Sequence, residues 1–341
     1  MPPIVVISIV ISVIILVLLI AAVVLVFPGK KKNIDSFLGI RYAHRGLHNG
    51  ERAENSLSAM KAAVDGGYGI ELDIRLSSDG KLVVFHDDTL DRVCGREGRV
   101  LDFTAEELST FKLCGTEDGI PTFDEVLEVV GGKVPLLVEI KENSGDSSVS
   151  EAAIKRLSEY DGPYIVESFN PLTVARVSKA MPDVTCGFLA QHFTKKEECK
   201  KPLYFALENL LLNRLCNPSF IAYRHDHYYM PALRLSRLLG ARAIAWTVRS
   251  PEEERAALEH GFKAVIFENY IPAEDLSVED LSDESRAKES LAEENLLTEN
   301  LPEENVAEES ASTEECAREN AFAADHSEEG DSADNLPQEE Q

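Results

Sequence analysis

The feature that most constrains the fold is the alternation of short β-rich runs with helical stretches between Gly39 and Pro272. Strands that alternate with helices form parallel sheets, because each crossover helix returns the chain to the edge where the previous strand began. A segment of this size with eight such strands is typical of a TIM (β/α)8 barrel. The sequence therefore predicts an α/β barrel over residues 39–272. The runs are Ile40–Ala43, Tyr68–Arg75, Leu82–His86, Leu136–Ile140, Tyr164–Ser168, Thr185–Leu189, Phe220–Tyr223, Ala243–Val248 and Ala264–Phe267.

Nine runs are one too many for the barrel, and a hairpin between the second and third runs explains the extra one. The connection contains Asp79-Gly80, a strong signal for a two-residue turn. With that turn, paired positions sum to 159, so Asp73 would lie opposite His86. Because side chains alternate between the faces of a strand, Glu71, Asp73 and His86 would share one face. We therefore expect a short hairpin strand after strand 2.

Three carboxylates at predicted strand ends indicate a metal site. Glu71 and Asp73 lie on the second strand, and Glu139 ends the strand that follows the hairpin. The carboxyl ends of barrel strands open on one face, so these side chains should meet there. Carboxylates inside a barrel are costly unless a cation or a base neutralises them, and hard oxygen ligands suit Mg²⁺ or Ca²⁺. We expect one divalent cation, with Glu54 in the first loop as a weaker ligand.

Two histidines accompany those carboxylates, His44 after the first strand and His86 at the end of the hairpin. A lone histidine at a strand end is more often structural, but two beside a carboxylate cluster favour acid and base catalysis. Arg45 and Lys141 could bind a phosphate, or could form salt bridges with the neighbouring carboxylates, and the two roles are compatible.

Several further residues lie outside this set or have more than one interpretation. Asn55 and Glu54 lie in the loop after the first strand, where Glu54 could also hold Arg45. Trp246 ends a predicted strand and either packs in the core or forms one wall of a pocket for a small polyol. His225 and His227 have the spacing of a metal pair, but without an evident third ligand they are better explained as structural or rim residues.

Together these motifs resemble the glycerophosphodiester phosphodiesterase family, and the resemblance covers residues 40–270. It implies a TIM barrel, hydrolysis of a glycerophosphodiester to an alcohol and sn-glycerol 3-phosphate, and one divalent cation on the equivalents of Glu71, Asp73 and Glu139. His44 and His86 match the family's acid/base pair. The motifs are His44-Arg45-Gly46, Ala53-Glu54-Asn55-Ser56, Gly69-Ile-Glu71-Leu-Asp73-Ile, Asp79-Gly80, Val83-Val84-Phe85-His86-Asp87, Leu90-Asp91-Arg92, Ile120-Pro121-Thr122, Glu139-Ile-Lys141 and Trp246-Thr-Val.

The resemblance also implies that Arg45 and Lys141 contact the phosphate and that Glu54 and Asn55 form the family's polar loop. The chain departs from the family pattern at its last strand, which continues into Phe267-Glu-Asn269 where the family usually has Thr-Asp. We expect that departure to affect packing where the barrel closes rather than the chemistry. The segment 187–220 carries no recognisable motif and is a candidate for selecting the alcohol.

The N-terminal segment Ile4–Phe27 is apolar apart from Ser8 and Ser12. As a helix its 24 residues would extend about 36 Å, against about 30 Å for the hydrocarbon core of a bilayer. It is longer than the apolar core of a secretory signal, and no basic residue precedes it. It predicts an uncleaved single-pass transmembrane helix over 4–27 and a basic juxtamembrane linker over 28–38. Lys30, Lys31 and Lys32 place the catalytic domain on the cytoplasmic side by the positive-inside rule.

The C-terminal residues 273–341 predict a disordered acidic tail. From Ser277 to Gln341 the chain has 22 acidic and 3 basic residues, so the tail carries −19 of the net charge of −26. Such a segment buries too little apolar surface to offset the entropy of ordering. Docking to a basic protein partner, of unknown identity, is the alternative interpretation. The acidic balance argues against nucleic-acid binding, and six cysteines without CxxC spacing argue against a zinc site.

Three hypotheses about function follow. The first is metal-dependent hydrolysis of small soluble glycerophosphodiesters, with a pocket that faces away from the bilayer. The second is lysophospholipase D-type activity on lysophospholipids, which a membrane enzyme could take directly. The third is a non-catalytic membrane scaffold that binds through the acidic tail. An inactive relative should have lost part of the polar set, and the set is complete here, which favours an enzyme.

Overall fold

The structure is a computed structural model that describes residues 2–29, 33–142, 145–195 and 201–273. The described chain contains nine strands in one sheet. All nine predicted runs form strands, with ends shifted by one or two residues. The strands are β1 (Arg41–Ala43), β2 (Gly69–Leu76), β3 (Leu82–Val84), β4 (Leu136–Ile140), β5 (Tyr164–Ser168), β6 (Cys186–Ala190), β7 (Phe220–Arg224), β8 (Arg242–Val248) and β9 (Ala264–Phe267).

Eight of these strands form a closed parallel barrel. The order is β1-β9-β8-β7-β6-β5-β4-β2, and pairing of β1 with β2 completes the ring. Strand β3 lies outside the ring and runs antiparallel to the end of β2. The predicted (β/α)8 barrel with an added hairpin strand is therefore confirmed.

Helices surround the barrel and connect its strands. The sequences Thr104-Ala-Glu-Glu107 and Thr122-Phe-Asp-Glu125 have the spacing of capping boxes, and both boxes form. Each threonine hydroxyl accepts from the backbone N–H of the glutamate three residues on, and that glutamate side chain accepts from the backbone N–H of the threonine. The helices are α1 (Pro3–Val26), α2 (Leu57–Asp65), α3 (Asp91–Cys94), α4 (Ala105–Ser109), α5 (Phe123–Val130), α6 (Ser148–Leu157), α7 (Pro171–Ala180), α8 (Pro202–Glu208), α9 (Asn213–Cys216), α10 (Pro231–Leu238) and α11 (Pro251–Glu259).

The predicted register of the hairpin is wrong by one residue. Ile74 pairs with Val84 and Leu76 with Leu82, so paired positions sum to 158 and Phe85, not His86, lies opposite Asp73. The cause is a three-residue loop in which only Gly80 has a positive φ, of 75°. A two-residue type I′ turn would need positive φ at both central positions, whereas a longer loop ends in one left-handed residue. His86 still reaches the barrel mouth because it lies beyond the end of β3.

Side chains of the barrel strands alternate between two cores. On β2, Ile70, Leu72 and Ile74 point outward and pack under the helices. Inward-facing residues such as Leu137 and Ile165 form a separate core inside the barrel. A 3₁₀ turn at Ile34–Phe37 adds Ile34 and Phe37 to that inner core and closes the amino-terminal end of the barrel.

The apolar N-terminal segment forms helix α1, as predicted. Within the described part of the chain it is the one helix whose length and composition would allow it to cross a membrane, and its mean hydropathy reaches 3.7. Its last residue, Val26, is buried against α9 and α10. The basic cluster Lys30–Lys32 and the tail from residue 274 onward lie outside the described residues, so their predicted roles stay predictions.

Candidate active site

The site is built by the last inward-facing residue of successive barrel strands. Below each of these residues the strand is apolar on its inner face, for example Leu137 below Glu139 and Ile266 below Glu268. Alternation then carries the next inward residue to the carboxyl end of the strand. A cleft at this end is lined by most of the predicted residues, namely His44, Arg45, Glu71, His86, Glu139, Lys141 and Trp246.

Glu71, Asp73 and Glu139 form a compact carboxylate cluster on the floor of the cleft. One oxygen from each lies within 4.8 Å of the other two, and all three side chains are buried. Strand register brings them together, because Asp73 is directly beside Glu139 on neighbouring strands. Burial and then the neighbouring carboxylates raise the pKa of Glu71 well above its usual range.

Lys141 and Arg45 lie against the carboxylate cluster. Lys141 Nζ is 2.8 Å from Glu139 Oε1 and 3.2 Å from Asp73 Oδ1, and Arg45 Nε is 3.6 Å from Asp73 Oδ2. Burial alone would raise the pKa of Asp73, but Lys141, His86 and Arg45 hold it well below its ordinary value. Burial raises the pKa of Glu139 to about 7, and Lys141 only partly opposes the shift. The salt-bridge interpretation of these two cations is confirmed, and it leaves room for a phosphate contact.

His44 is held by a carboxylate that the sequence did not predict as a site residue. Its Nδ1 is 2.6 Å from Glu268 Oε2, so the other ring nitrogen faces the cleft, 4.0 Å from Glu71 Oε2. Burial and the charge of Arg45 lower the pKa of His44, and Glu268 opposes that shift. Glu268 also pairs with Arg249 and lies 3.8 Å from His48.

His86 has a matching arrangement on the other side of the cluster. Its Nδ1 is 2.5 Å from Asp87 Oδ1, which leaves Nε2 for the cleft, and Arg75 donates to its carbonyl oxygen at 2.8 Å. Burial, Lys141 and Arg45 lower the pKa of His86 to about 4. The ring is therefore neutral at neutral pH and able to accept a proton.

Glu54 and Asn55 support this set from the loop after β1. Glu54 binds Arg45 Nη1 at 2.9 Å and both terminal nitrogens of Arg92. The structure does not bring it into the carboxylate cluster. Asn55 donates to Asp73 Oδ2 at 2.9 Å and orients that carboxylate. Glu54 thus forms salt bridges with Arg45 and Arg92, which was the alternative to its predicted role as a metal ligand.

Trp246 packs against the inner core and also lines the cleft wall, and its contact with a polyol stays a prediction. Its ring packs edge-on against Phe169, with ring centroids 5.5 Å apart.

His225 and His227 do not line the cleft. His225 Nε2 lies 3.5 Å from Glu253, and the buried His227 accepts the backbone N–H of His192. Neither belongs to a group of metal-ligating side chains in the described residues, which agrees with a structural role.

Sequence reasoning missed Glu167 and Glu268. Glu167 follows Ile165 on the inner face of β5, lies beside Glu139 in register, and its Oε2 is buried without a hydrogen-bond partner. Glu268 occupies the last inward position after β9, so the expectation that this departure affects packing alone is wrong. The signal for both was available: each is the first polar residue after an apolar inward position on a barrel strand.

The charges of the cleft fit a bound divalent cation. Four buried carboxylates, of Glu71, Asp73, Glu139 and Glu167, lie beside Arg45 and Lys141. A third cation of the cleft, Arg224, pairs with Asp226 instead. Burial and the other carboxylates raise the pKa of Glu167 well above its ordinary value. An excess of buried acid is costly unless another positive charge is bound, and three converging oxygens are the donors that Mg²⁺ and Ca²⁺ prefer.

The fold and the site together define a TIM barrel of the hydrolase type, with an acidic cluster and two imidazoles at the carboxyl end of its strands. The sequence model of the glycerophosphoryl diester phosphodiesterase family matches residues 44–271. The chain belongs to that family, as the motifs indicated.

Curated relatives support this assignment. A glycerophosphodiester phosphodiesterase of Caldanaerobacter subterraneus is 39% identical over 163 residues, which cover 44% of this chain and 65% of that protein. Human glycerophosphodiester phosphodiesterase 1 is 26% identical over 242 residues, or 62% of this chain and 72% of that protein. The chain thus matches slightly less than two thirds of the length of the first of these relatives.

Solved structures share the barrel. An Oleispira antarctica phosphodiesterase, solved with the product sn-glycerol-3-phosphate, superposes with a TM-score of 0.58 at 24% identity, covering 68% of this chain and 94% of that one. The glycerophosphodiester phosphodiesterase of Thermotoga maritima superposes with a TM-score of 0.53 at 26% identity, covering 67% of this chain and 93% of that one.

Proposed function

We propose that this protein hydrolyses glycerophosphodiesters to an alcohol and sn-glycerol 3-phosphate, as a phosphoric diester hydrolase. The observation that carries the proposal is the placement of two imidazoles beside one acidic cluster, each with its Nδ1 engaged by a carboxylate. This arrangement leaves two Nε2 atoms for proton transfer at one cleft. Membership of the family supports the same reaction class.

In this proposal Arg45 and Lys141 bind the phosphodiester and stabilise the charge that develops on its oxygens. One imidazole removes a proton from the attacking oxygen, which belongs to a water or to the neighbouring glycerol hydroxyl. In the second case the phosphate becomes a cyclic diester, and a water must then open the ring to give sn-glycerol 3-phosphate. The other imidazole protonates the departing alcohol oxygen. Glu268 and Asp87 hold the two rings in the orientation these transfers need.

The cation in the proposal is one Mg²⁺ or Ca²⁺, held by Glu71, Asp73 and Glu139. When bound, it would supply Lewis-acid charge to the phosphate oxygens. Lys141 and Asn55 would keep the Asp73 carboxylate in place for it.

The test is an assay of purified full-length protein on a panel of glycerophosphodiesters and lysolipids, with EDTA and with added metals. We expect EDTA to abolish hydrolysis and Mg²⁺ or Ca²⁺ to restore it. His44→Ala and Glu71→Gln should each lower the rate at least about a hundredfold. His260→Ala, on an exposed histidine at the opposite end of the barrel, is the matched control. Full activity in either site variant would refute the proposal.

We further propose that α1 anchors the protein in a membrane as a single-pass helix, with the barrel on the cytoplasmic side. The length and composition of α1 support anchoring, and the three lysines after it support the orientation. Resistance to carbonate extraction would test the anchor. Labelling of exposed Cys114 by a membrane-impermeant maleimide, before and after permeabilisation, would test the side.

A scaffold that acts through the acidic tail is the remaining alternative of another class. Removing residues 277–341 separates the two hypotheses, because hydrolysis should survive the deletion and a binding function of the tail should not.

A further inference from the structure

A basic groove runs along the outside of the barrel beside α10, from Tyr228 after β7 to Arg242 at the start of β8, and it shares no residue with the cleft. Its volume is about 640 Å³, and it lies between α10 and the chain that enters β8 and β9. Its charged lining residues are all basic: Arg234, Arg237, Arg242 and Lys263, with His260 beside them. A chain with a net charge of −26 has no general excess of cations, so this concentration of positive charge is local.

The groove is only partly neutralised by its own protein. Arg242 pairs with Asp35 at 3.2 Å, and Arg237 donates to the carbonyl oxygen of His260 at 2.6 Å. Arg234 is exposed on α10, and no carboxylate of the described residues lies within ion-pair distance of it. The groove therefore has positive charge available to an anionic ligand.

Helix α10 lines the groove and also receives the end of α1. The carbonyl oxygen of Val26 accepts from Ser236 Oγ on α10 at 3.3 Å and from Asn213 Nδ2 on α9 at 2.9 Å. Gly29 then donates to Pro218 at 2.8 Å, and a Cβ at Gly29 would lie 2.2 Å from the carbonyl oxygen of Asn217. These contacts fix the apolar helix against the barrel next to the groove.

The edge of the groove has the amphipathic character of a bilayer interface. Leu238, at the end of α10, is 85% exposed although it is apolar. Tyr228 stacks on His260 with ring centroids 3.5 Å apart. Tyrosine, basic side chains and an exposed leucine on one surface are the combination found where proteins meet lipid head groups.

We propose that this groove binds the head groups of anionic phospholipids in the bilayer that holds α1. The inference rests on the proposed membrane anchor, because α1 brings α10 to the membrane surface. Anionic head groups complement the charges of Arg234 and Arg237, and Leu238 would contact the acyl boundary. Each cation near an anionic surface is expected to contribute about a fivefold preference.

The test uses full-length protein in detergent with equal amounts of phosphatidylglycerol and phosphatidylcholine, and native mass spectrometry to count the bound lipids. We expect the wild type to retain phosphatidylglycerol over phosphatidylcholine at least about fivefold. Arg234→Glu should remove that preference, and Arg237→Lys, which keeps the charge, should preserve most of it. Lys81→Glu, on the exposed hairpin loop and not part of the groove, is the matched control. Unchanged phosphodiesterase activity would show that Arg234→Glu folds.

Equal binding of the two lipids by the wild type, or an undiminished preference in Arg234→Glu, would overturn the proposal. So would displacement of the lipid by millimolar inorganic phosphate, which would indicate a site for free phosphate. If a preference for phosphatidylglycerol appears only after residues 277–341 are removed, the groove binds the acidic tail in the full chain and the lipid proposal is wrong. Carbonate extraction from phosphatidylcholine vesicles tests the membrane anchor separately. Failure of the anchor proposal and failure of the lipid-binding proposal therefore give different results.

Discussion

The contact between His44 and Glu268 determines how the His44 imidazole can work in the proposed reaction. A carboxylate on Nδ1 fixes the tautomer and stabilises the ring when it becomes charged. The contact makes Glu268 a positioning residue rather than a ligand of the phosphate.

We expect Glu268→Gln to lower kcat about tenfold or more and to shift the pH–rate profile. Glu268 opposes the lowering of the His44 pKa, so removing its charge should lower that pKa further and move the acid limb to lower pH if His44 is the base. Glu268→Asp should recover part of the rate. Arg249→Gln, which removes another partner of Glu268, is the control. A pH profile that does not move would contradict this role.

Glu54 links the catalytic arginine to the stability of the folded protein. Burial alone would raise its pKa, but hydrogen bonds from Arg92 and the charges of Arg45 and Arg92 lower the pKa to about 2, from an ordinary 4.5. A carboxyl whose pKa is lower in the folded state stabilises that state above pH 4.5. The stabilisation is lost as the pH falls toward 2.

Glu54→Gln should therefore reduce the free energy of unfolding by at most about 3 kcal/mol at pH 7, and by much less near pH 2. Denaturant unfolding of the full chain in detergent at several pH values measures this difference. Glu106→Gln removes an exposed carboxylate and should show no such pH dependence. An equal effect of Glu54→Gln at both pH values would show that Glu54 acts through packing rather than charge.

At the scale of elements, the pattern of strands in the sequence predicted most of the fold. Nine strands and two capping boxes followed from periodicity and local chemistry, because a buried parallel strand and a capped helix each have a distinct local signal. The hairpin register could not be predicted in this way, because Asp79-Gly80 fits both a two-residue and a three-residue loop. Glu167 and Glu268 were missed because neither is part of a motif, so the one sequence signal was the apolar inward position that precedes each of them.

The three-residue loop can be tested at Gly80. Its φ of 75° is strained for any residue with a Cβ, although no atom lies within 4 Å of the position a Cβ would take. Gly80→Ala should therefore cost about 1 kcal/mol in unfolding free energy through backbone strain alone. Gly50→Ala has the same open space without a positive φ and should cost little. Equal stability of both variants would contradict the loop geometry.

At the scale of the whole molecule, the docked end of α1, the proposed anchor, and the candidate active site lie at opposite ends of one barrel. Gly29 bonds to Pro218 just before β7 begins, whereas His44 and Glu139 lie at the carboxyl ends of their strands. Since α1 is docked on the amino-terminal end, the cleft should open away from the bilayer. A lipid that remains in the membrane would not reach it.

We therefore expect faster turnover of soluble glycerophosphocholine than of lysophosphatidylcholine by the full chain in vesicles. The comparison is made as kcat/KM for each substrate, with choline release as the readout. A detergent-solubilised sample controls for access, because there the lysolipid is no longer restricted to the bilayer. Preference for lysophosphatidylcholine in vesicles would favour the lysophospholipase D hypothesis.

The 3₁₀ turn that closes the lower end of the barrel has a kinetic consequence. Ile34 and Phe37 fill the amino-terminal end of the inner core. We therefore expect substrate and both products to pass through the cleft at the other end. In the proposed reaction Arg45 and Lys141 retain the phosphate-bearing fragment deep inside, while the alcohol fragment lies nearer the entrance. We expect the alcohol to depart first, so glycerol 3-phosphate would be the product that competes with incoming substrate.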